Sequence, residues 1–465
     1  MKLARRIATA YRVLTRGYDA ASGSARWPAW ASQVAPARQA LAARHALASH
    51  ANYLTANSPT GEAIVEKWQT NTIGDGPSVR SGHPDESIRA ALEDGFGDFY
   101  AHADIEGTAD LTAVLNAAVR GLVAAGEAFI QLVTVERGEL RLRQLSPEQV
   151  DPAINRELDG GGRIVAGIEF DAYGRRVAYH VLPDALDMVA AMMRPAVRIP
   201  ASDICHIFER RVPGQVRGTS WFSPIATRVI ELHKLEDALL ARMNAAALFA
   251  GFITDAEGGG AGFTDGSTVN PADLSLEPGT LRILPPGAGV TFPAVPDITG
   301  APELLTHMGR SIASGIGLPY PVMASAYGDV NYSSGTLGLG QFIRRVKAVQ
   351  SSLLVGQFLQ AVWNRFAALE ILSGRLNAPD FARDPAPYFK VTYLFPAWPS
   401  LNPLDEARAD QITISTGVRS RQEIIAARGR DPAEVDAEIE ADTFKPVATP
   451  QPIGALTQGV ANAAA

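Results

Sequence analysis

One stretch of the chain, from about Thr336 to Leu372, keeps apolar side chains at helical spacing without a break: Phe342, Ile343, Val346, Leu353, Leu354, Phe358, Val362, Phe366 and Leu369 share a stripe. At 1.5 Å per residue this is a helix of roughly 55 Å, and Ser373-Gly374 supplies its stop. A second long pattern starts at Ser223-Pro224, an N-cap residue followed by a proline suited to the first helical position. Ile225, Val229, Leu232, Leu239, Met243 and Ala246 then recur at three- and four-residue spacing, with Arg228, Glu231, Lys234 and Asp237 on another side, to about Phe249. At roughly 40 Å, this second helix is long for a globular domain.

Between the two lies a different kind of sequence. Residues 251–298 are interrupted by Gly258-Gly259-Gly260, Pro271, Pro278-Gly279, Pro285-Pro286-Gly287, Pro293 and Pro296, with short strands such as Leu281 to Leu284 between them. A shorter helix is predicted from Pro302 to Ser314, closed by Gly315 and Gly317. Residues 318–335 read as an irregular loop of prolines, tyrosines and small polar residues.

The first half changes period. Residues 1 to about 120 read as helices and loops, with a turn at Asn57-Ser58-Pro59-Thr60-Gly61 and a helix from Leu111 to Ala125 ended by Gly126. From Glu127 the apolar period becomes two, giving a hairpin through Arg137-Gly138 to Leu145, then a second from Ile164 to Phe170, through Asp171 to Gly174, and on to Leu182. Ile204 to Phe208 adds a strand, and Phe389 to Phe395 another. Beyond Asp405 come two or three short helices separated by Gly417 and by Gly429 to Pro432, and the Ala/Gly/Pro/Gln-rich tail from about Val447 lacks the apolar surface to fix itself.

With 465 residues, 46% of them hydrophobic, the chain can bury two or three separate cores. Its single cysteine, Cys205, excludes a disulfide framework and a zinc pattern, and no apolar run reaches the roughly 18 to 20 residues needed to cross a bilayer, so no membrane association or export signal is expected. Arg5, Arg6, Arg12 and Arg16 suit either a solvated arm or a nucleic-acid contact. The net charge of -7 argues against tight clamping on phosphate.

No phosphate-binding loop, H-E-x-x-H, G-x-S-x-G or C-x-x-C occurs, so neither an enzyme nor a cofactor or metal site is expected. Cys205 and His206, adjacent on a strand, point to opposite faces and cannot pair as nucleophile and base; Cys205 reads as core, and His45 and His50 as surface residues. Arg344, Arg345 and Lys347 form a basic cluster near the start of the long helix, beside Asn331 and Tyr332. That cluster suits either a solvated helix face or contact with a DNA backbone.

A set of short motifs, in order along about residues 50 to 440, resembles the lambda-type portal proteins of tailed phages. The set runs through Tyr53 to Pro59, Gly126-Glu127-Ala128-Phe129, Gly167 to Asp171, Ile204 to Phe208, and the block Pro213-Gly214-Gln215-Val216-Arg217-Gly218-Thr219-Ser220-Trp221-Phe222. It continues through Leu276 to Thr280, Gly317 to Tyr320, Asn331-Tyr332-Ser333-Ser334, Ser420-Arg421 and Arg428 to Pro432. The sequence departs from the family after Asn331-Tyr332-Ser333-Ser334, where an arginine is usual and Gly335-Thr336 stands instead.

The resemblance implies an α+β portal fold: an N-terminal arm at 1–50, an α/β wing at 51–222, a helical stem at 223–250 and 299–316, and a small β-containing clip at 251–298. It further implies a tunnel loop at 317–335, a long helix with a wing strand at 336–402, a helical crown at 403–446 and a flexible tail at 447–465. It implies a virion protein made in the host cytoplasm, a ring of about twelve copies at the capsid vertex. Double-stranded DNA would pass through the ring during packaging and ejection, held loosely and without regard to sequence. Its expected partners are the terminase motor, a head-tail adaptor, and the major capsid and scaffold proteins. Tyr327, Asn331, Tyr332, Ser333, Arg344, Arg345 and Lys347 are the expected channel residues, and Gly214, Gln215, Arg217, Gly218 and Trp221 the expected structural motif residues. The rival readings are a head-tail adaptor, usually a shorter chain, and a nuclease or motor subunit, which would need clustered carboxylates or a phosphate loop.

Overall fold

The computed structural model describes residues 35–183, 194–248, 252–255, 288–291, 300–328, 332–398 and 402–442. The N-terminal arginines, the Leu281 to Leu284 strand, Asn331 and the tail from Val447 lie outside them.

Proline starts α1 (Pro36–Asn57) and α2 (Pro59–Ile73), where its missing N–H costs no hydrogen bond. The expected turn between them shrinks to Ser58, whose Oγ accepts from the Gly61 N–H at 3.0 Å, and a Cβ at Gly61 would lie 2.3 Å from the Leu54 carbonyl oxygen. α1 runs across residue 50, the boundary expected for an N-terminal arm. Next come β1 (Ser78–Ser81), α3 (Glu86–Ala101), capped by Asp85, and α4 (Leu111–Ala124), which ends near Gly126 at φ +90°. The first expected hairpin is present as β2 (Glu127–Thr134) and β3 (Leu140–Leu145).

The second is not a single hairpin. The expected strand from Ile164 to Phe170 breaks at Ala166 and Gly167, both at positive φ, where a Cβ on Gly167 would lie 2.5 Å from the Asp151 carbonyl oxygen. The result is a meander of β4 (Arg156–Glu157), β5 (Arg163–Val165), β6 (Ile168–Phe170), β7 (Arg176–Val181) and β8 (Val197–Pro200) in one five-stranded antiparallel sheet. β9 (Ile204–Phe208) follows, every residue buried. α5 (Ala226–Leu248) begins three residues after the expected cap Ser223, because residues 221–225 are turns closed by bonds such as Ile225 N–H to the Phe222 carbonyl.

β10 (Phe252–Asp255) and β11 (Ala288–Thr291) form an antiparallel pair. α6 (Ala301–Ile316) ends at Gly317, φ +77°; Gly315, expected to help stop it, lies inside the helix, where its missing Cβ leaves room for Ile225. The segment expected as irregular contains α7 (Tyr320–Ala324), and α8 (Tyr332–Val349) begins four residues before the expected Thr336. α8, a π-helical segment (Gln350–Leu359) and α9 (Gln360–Leu372) follow one another without an intervening loop. At the start of the π segment the Ser351 and Ser352 hydroxyls both donate to the Ala348 carbonyl, competing for an acceptor the α ladder would use. β12 (Val391–Leu394), α10 (Pro403–Ser415), α11 (Arg421–Ala427) and α12 (Pro432–Ala441) complete the described chain, with Gly417 and Gly429 at positive φ in the turns. Among the described residues no helix is long and apolar enough to cross a membrane.

The chain divides into two compact units, residues 1–68, 118–129 and 145–347, and residues 69–117, 130–144 and 348–465. In the first, Phe129, Leu145, Val150, Ile168, Phe170, Tyr179, Val181 and Ile204 form a core between the strands. In the second, Phe96 on α3 sits among Phe99, Trp363 and Phe366 at centroid distances of 5.3, 5.1 and 5.2 Å. There the Trp363 indole N–H donates to the Tyr388 carbonyl at 2.9 Å, and β1 pairs with β12.

Candidate functional site

The block from Gly214 to Trp221 is organised by a residue far from it in sequence, Glu127 at the start of β2. The Glu127 side chain is fully buried, and burial alone would push its carboxyl up. Arg217 and His206 outweigh burial and hold the carboxyl well below the usual carboxylate range. Arg217 Nη2 donates to Oε1 at 2.7 Å and Nε reaches both oxygens at 3.0 and 3.1 Å. Its remaining protons go to the carbonyls of Pro147 (2.8 Å), Val150 (3.2 Å) and Ala166 (2.9 Å), so every donor of the guanidinium fork is used.

Three further groups complete the shell. Arg44 Nη1 from α1 donates to Glu127 Oε1 at 3.1 Å, the Gly218 N–H to Oε2 at 2.7 Å, and His206 Nε2 lies 3.0 Å from Oε2. Burial pushes His206 down to about 4 against the pull of the Glu127 carboxylate, so the ring is neutral near pH 7 and its Nε2–H donates. The buried Nδ1 atom has no hydrogen-bond partner among the described residues, as this tautomer permits for an acceptor, while the ring stacks between Phe129 and Phe208 at 4.2 and 4.5 Å. One carboxylate thereby ties α1, β2, β9 and the 217–218 segment together.

The other motif residues shape this segment. Gly214 has φ +77°, and the buried Gln215 side chain accepts from the Arg211 and Val212 N–H groups and donates to the Arg217 carbonyl. Gly218 lies so close to Gly126 that a Cβ would sit 2.1 Å from the Gly126 carbonyl oxygen. Trp221, 3% exposed, packs edge-on against Trp68 at 4.9 Å. Sequence reading put these residues in a structural block but missed Glu127, Arg44 and His206 as its partners; their only local signal is charge inside otherwise apolar patterns.

The described members of the expected channel set differ in their surroundings. Arg345 turns to Glu209 at 2.6 Å and places its guanidinium 5.4 Å from the Trp221 ring, whereas Arg344 and Lys347 are exposed. Tyr327 is 61% exposed, and Asn331 and the side chains of Tyr332 and Ser333 lie outside the described residues. Cys205 is buried, and His45 and His50 are exposed, as expected.

The sequence pattern of the phage portal protein, lambda family, matches residues 23–350, a span that contains the whole Glu127 centre. A probable portal protein of Halomonas phage phiHAP-1 is 26% identical over 432 residues, covering 86% of this chain and 81% of that one. Among solved structures, a chain from the neck of a native GTA particle computed with C12 symmetry superposes with a TM-score of 0.49 at 16% identity, covering 90% of this chain and 99% of that one. An HK97 family phage portal protein from Corynebacterium diphtheriae gives a TM-score of 0.33 at 11% identity over 74% and 94% of the two chains. With most of its length matched by the family pattern, the chain belongs to the lambda family of phage portal proteins.

Proposed function

We propose that this chain is the portal subunit at the capsid vertex of a tailed phage particle, a structural component through which double-stranded DNA enters and leaves rather than a catalyst. The observation that carries the proposal is the family match across residues 23–350. In this reading about twelve copies close head to tail through heterologous interfaces. The terminase motor, head-tail adaptor, capsid and scaffold proteins are its partners, and the virion its destination. A net charge of -7 per copy suits a conduit in which DNA must slide, since a bore dense in fixed cations would hold phosphates.

The observed elements have a natural place in that assignment. The β2–β9 strands belong to the wing, α5 and α6 to the stem, the β10/β11 pair to the clip, the segment around α7 to the tunnel loop, and α10 to α12 to the crown. Tyr327, Asn331, Tyr332, Ser333, Arg344 and Lys347 stay the candidates for facing DNA; Arg345, engaged with Glu209, is better placed to support α8.

Native mass spectrometry with electron-microscope class averages tests the reading. Closed rings of about twelve subunits with a central hole are expected. A chain that stays monomeric even with its scaffold and capsid proteins present overturns it.

A further inference from the structure

Beside the Glu127 centre, β5, the β6–β7 turn and the 210–216 segment border a recess of about 470 Å³ lined by Arg163, Arg175, Arg176, Arg210, Phe170 and Gln215 among others, with no carboxylate residue among the described residues of its wall. Two of the four guanidiniums are held in place. Arg175 Nε meets Asp171 at 2.7 Å, and Arg176 gives Nη2 to the Val216 carbonyl at 3.0 Å with its guanidinium 5.0 Å from the Phe208 ring. Arg163 and Arg210 have no ion-pair partner among the described residues, and Glu209, next in sequence to Arg210, is already used by Arg211 and Arg345. With only Arg175 paired to a carboxylate, the gathered guanidiniums still repel one another, and a bound anion would offset the repulsion.

The opposite charge is concentrated elsewhere in the chain. Residues 85–110 carry eight carboxylates against one arginine, Arg89, a balance equal to the -7 of the entire chain. Several have local tasks: Asp85 caps α3, Glu93 accepts from the Ser81 N–H, Asp104 from the Thr108 hydroxyl and Asp110 from the Ala113 N–H. Glu86 lies 3.8 Å from Arg89. Asp94, Asp98 and Glu106 are exposed and have no ion-pair partner among the described residues, and Asp94 and Asp98 lie one helical turn apart on the same side of α3.

We propose that the arginine recess receives the carboxylates of α3 and its following loop from a neighbouring copy of this chain. The inference rests on the ring reading. A ring closed by heterologous contacts needs two different, complementary patches on each copy, and these two are complementary in charge. Guanidinium forks bind carboxylates in pairs, which gives such a contact direction as well as attraction. A DNA duplex fits less well, because its many phosphates would have to approach a chain whose net charge is -7.

Charge reversal and its compensation test the contact, with ring formation by the parent chain as the control. R163E/R210E and D94R/D98R are each expected to lower the ring fraction about tenfold, and the four changes combined in one chain to restore it, with thermal melting confirming that every variant folds. Should either reversed pair unfold, R163Q/R210Q and D94N/D98N replace them, and their effects on ring dissociation must then be non-additive. Parent rings that persist in both reversed pairs, or neutral pairs whose effects simply add, overturn the contact and leave the ring reading standing. So does a recess that binds inorganic phosphate in the parent and loses it in R163E/R210E while rings remain. A parent that never forms rings removes both readings together.

Discussion

Arg217 and Glu127 meet at 2.7 Å with neither side chain exposed, ninety positions apart in sequence. The pair is not balanced by itself. Arg44 adds a second buried cation on the same Oε1 atom, and its Nη2 has no hydrogen-bond partner among the described residues. Such a centre specifies one arrangement of the surrounding segments, and each member depends on the others for compensation.

Removing one partner strands the rest. Arg217→Met is expected to cost about 3–5 kcal/mol, because Glu127 keeps its charge in a site that excludes water and three backbone carbonyls lose their donor. Arg217→Lys should rescue little, since a single ammonium cannot reproduce the fork. The triple change R44M/E127L/R217M removes the charges together and should recover most of the loss. Urea unfolding midpoints read all three; a triple variant as unstable as Arg217→Met would mean that shape, not charge, sets the cost.

Acid should loosen this unit in two stages. His206 has a folded pKa of about 4 against an ordinary 6.5, so the unfolded chain binds the extra proton between those values. The stability that His206 contributes is therefore complete above about pH 6.5 and falls as pH drops toward 4, by up to about 3 kcal/mol. Glu127, held below its ordinary 4.5, contributes stability that is complete above that value and lost at lower pH still. Melting temperature should fall from pH 6.5 to 4, and His206→Gln should flatten that slope while leaving the steeper loss at lower pH. An unchanged slope in the variant would assign it to other groups.

Two glycines separate steric contact from backbone strain. Gly218→Ala would place a Cβ 2.1 Å from the Gly126 carbonyl oxygen and push the Gly218 N–H off Glu127, at a cost of at least about 1–3 kcal/mol. Gly174→Ala meets nothing within 4 Å among the described residues but sits at φ +81°, so the left-handed backbone penalty of about 1–2 kcal/mol dominates. Calorimetric melting should rank Gly218→Ala as the more damaging and show native-like secondary structure for Gly174→Ala.

The elements most legible in the sequence were those set by local chemistry. The helix from Leu111, the Glu127 to Leu145 hairpin and the stop at Gly374 follow from period and from glycine at positive φ. What escaped depends on distant partners. β1 is four residues of mixed polarity that become a strand because Val391–Leu394 pairs with them, more than 300 positions later. Glu127 looked like the polar start of an apolar strand, and His206 was read only as unable to pair with Cys205; only the fold brings Arg44 and Arg217 to them. The break at Ala166 and Gly167 was hidden because apolar residues on both sides continued the strand pattern.

The basic cluster at the start of α8 divides into one supporting residue and two exposed ones. Arg345→Ala removes the half-exposed ion pair with Glu209 and the guanidinium over Trp221, and should lower stability by about 1–2 kcal/mol. Arg344 and Lys347 are exposed, so R344A/K347A should leave unfolding within about 0.5 kcal/mol of the parent. If those two side chains meet DNA phosphates, the double change should also reduce the salt slope of binding to random-sequence duplex by about 2, one for each phosphate no longer neutralised. Measuring duplex binding by assembled rings across a salt series distinguishes the roles. An unaltered slope would make the exposed pair a solvated helix face, and a slope change in Arg345→Ala alone would move the DNA contact to the residue that now supports Trp221.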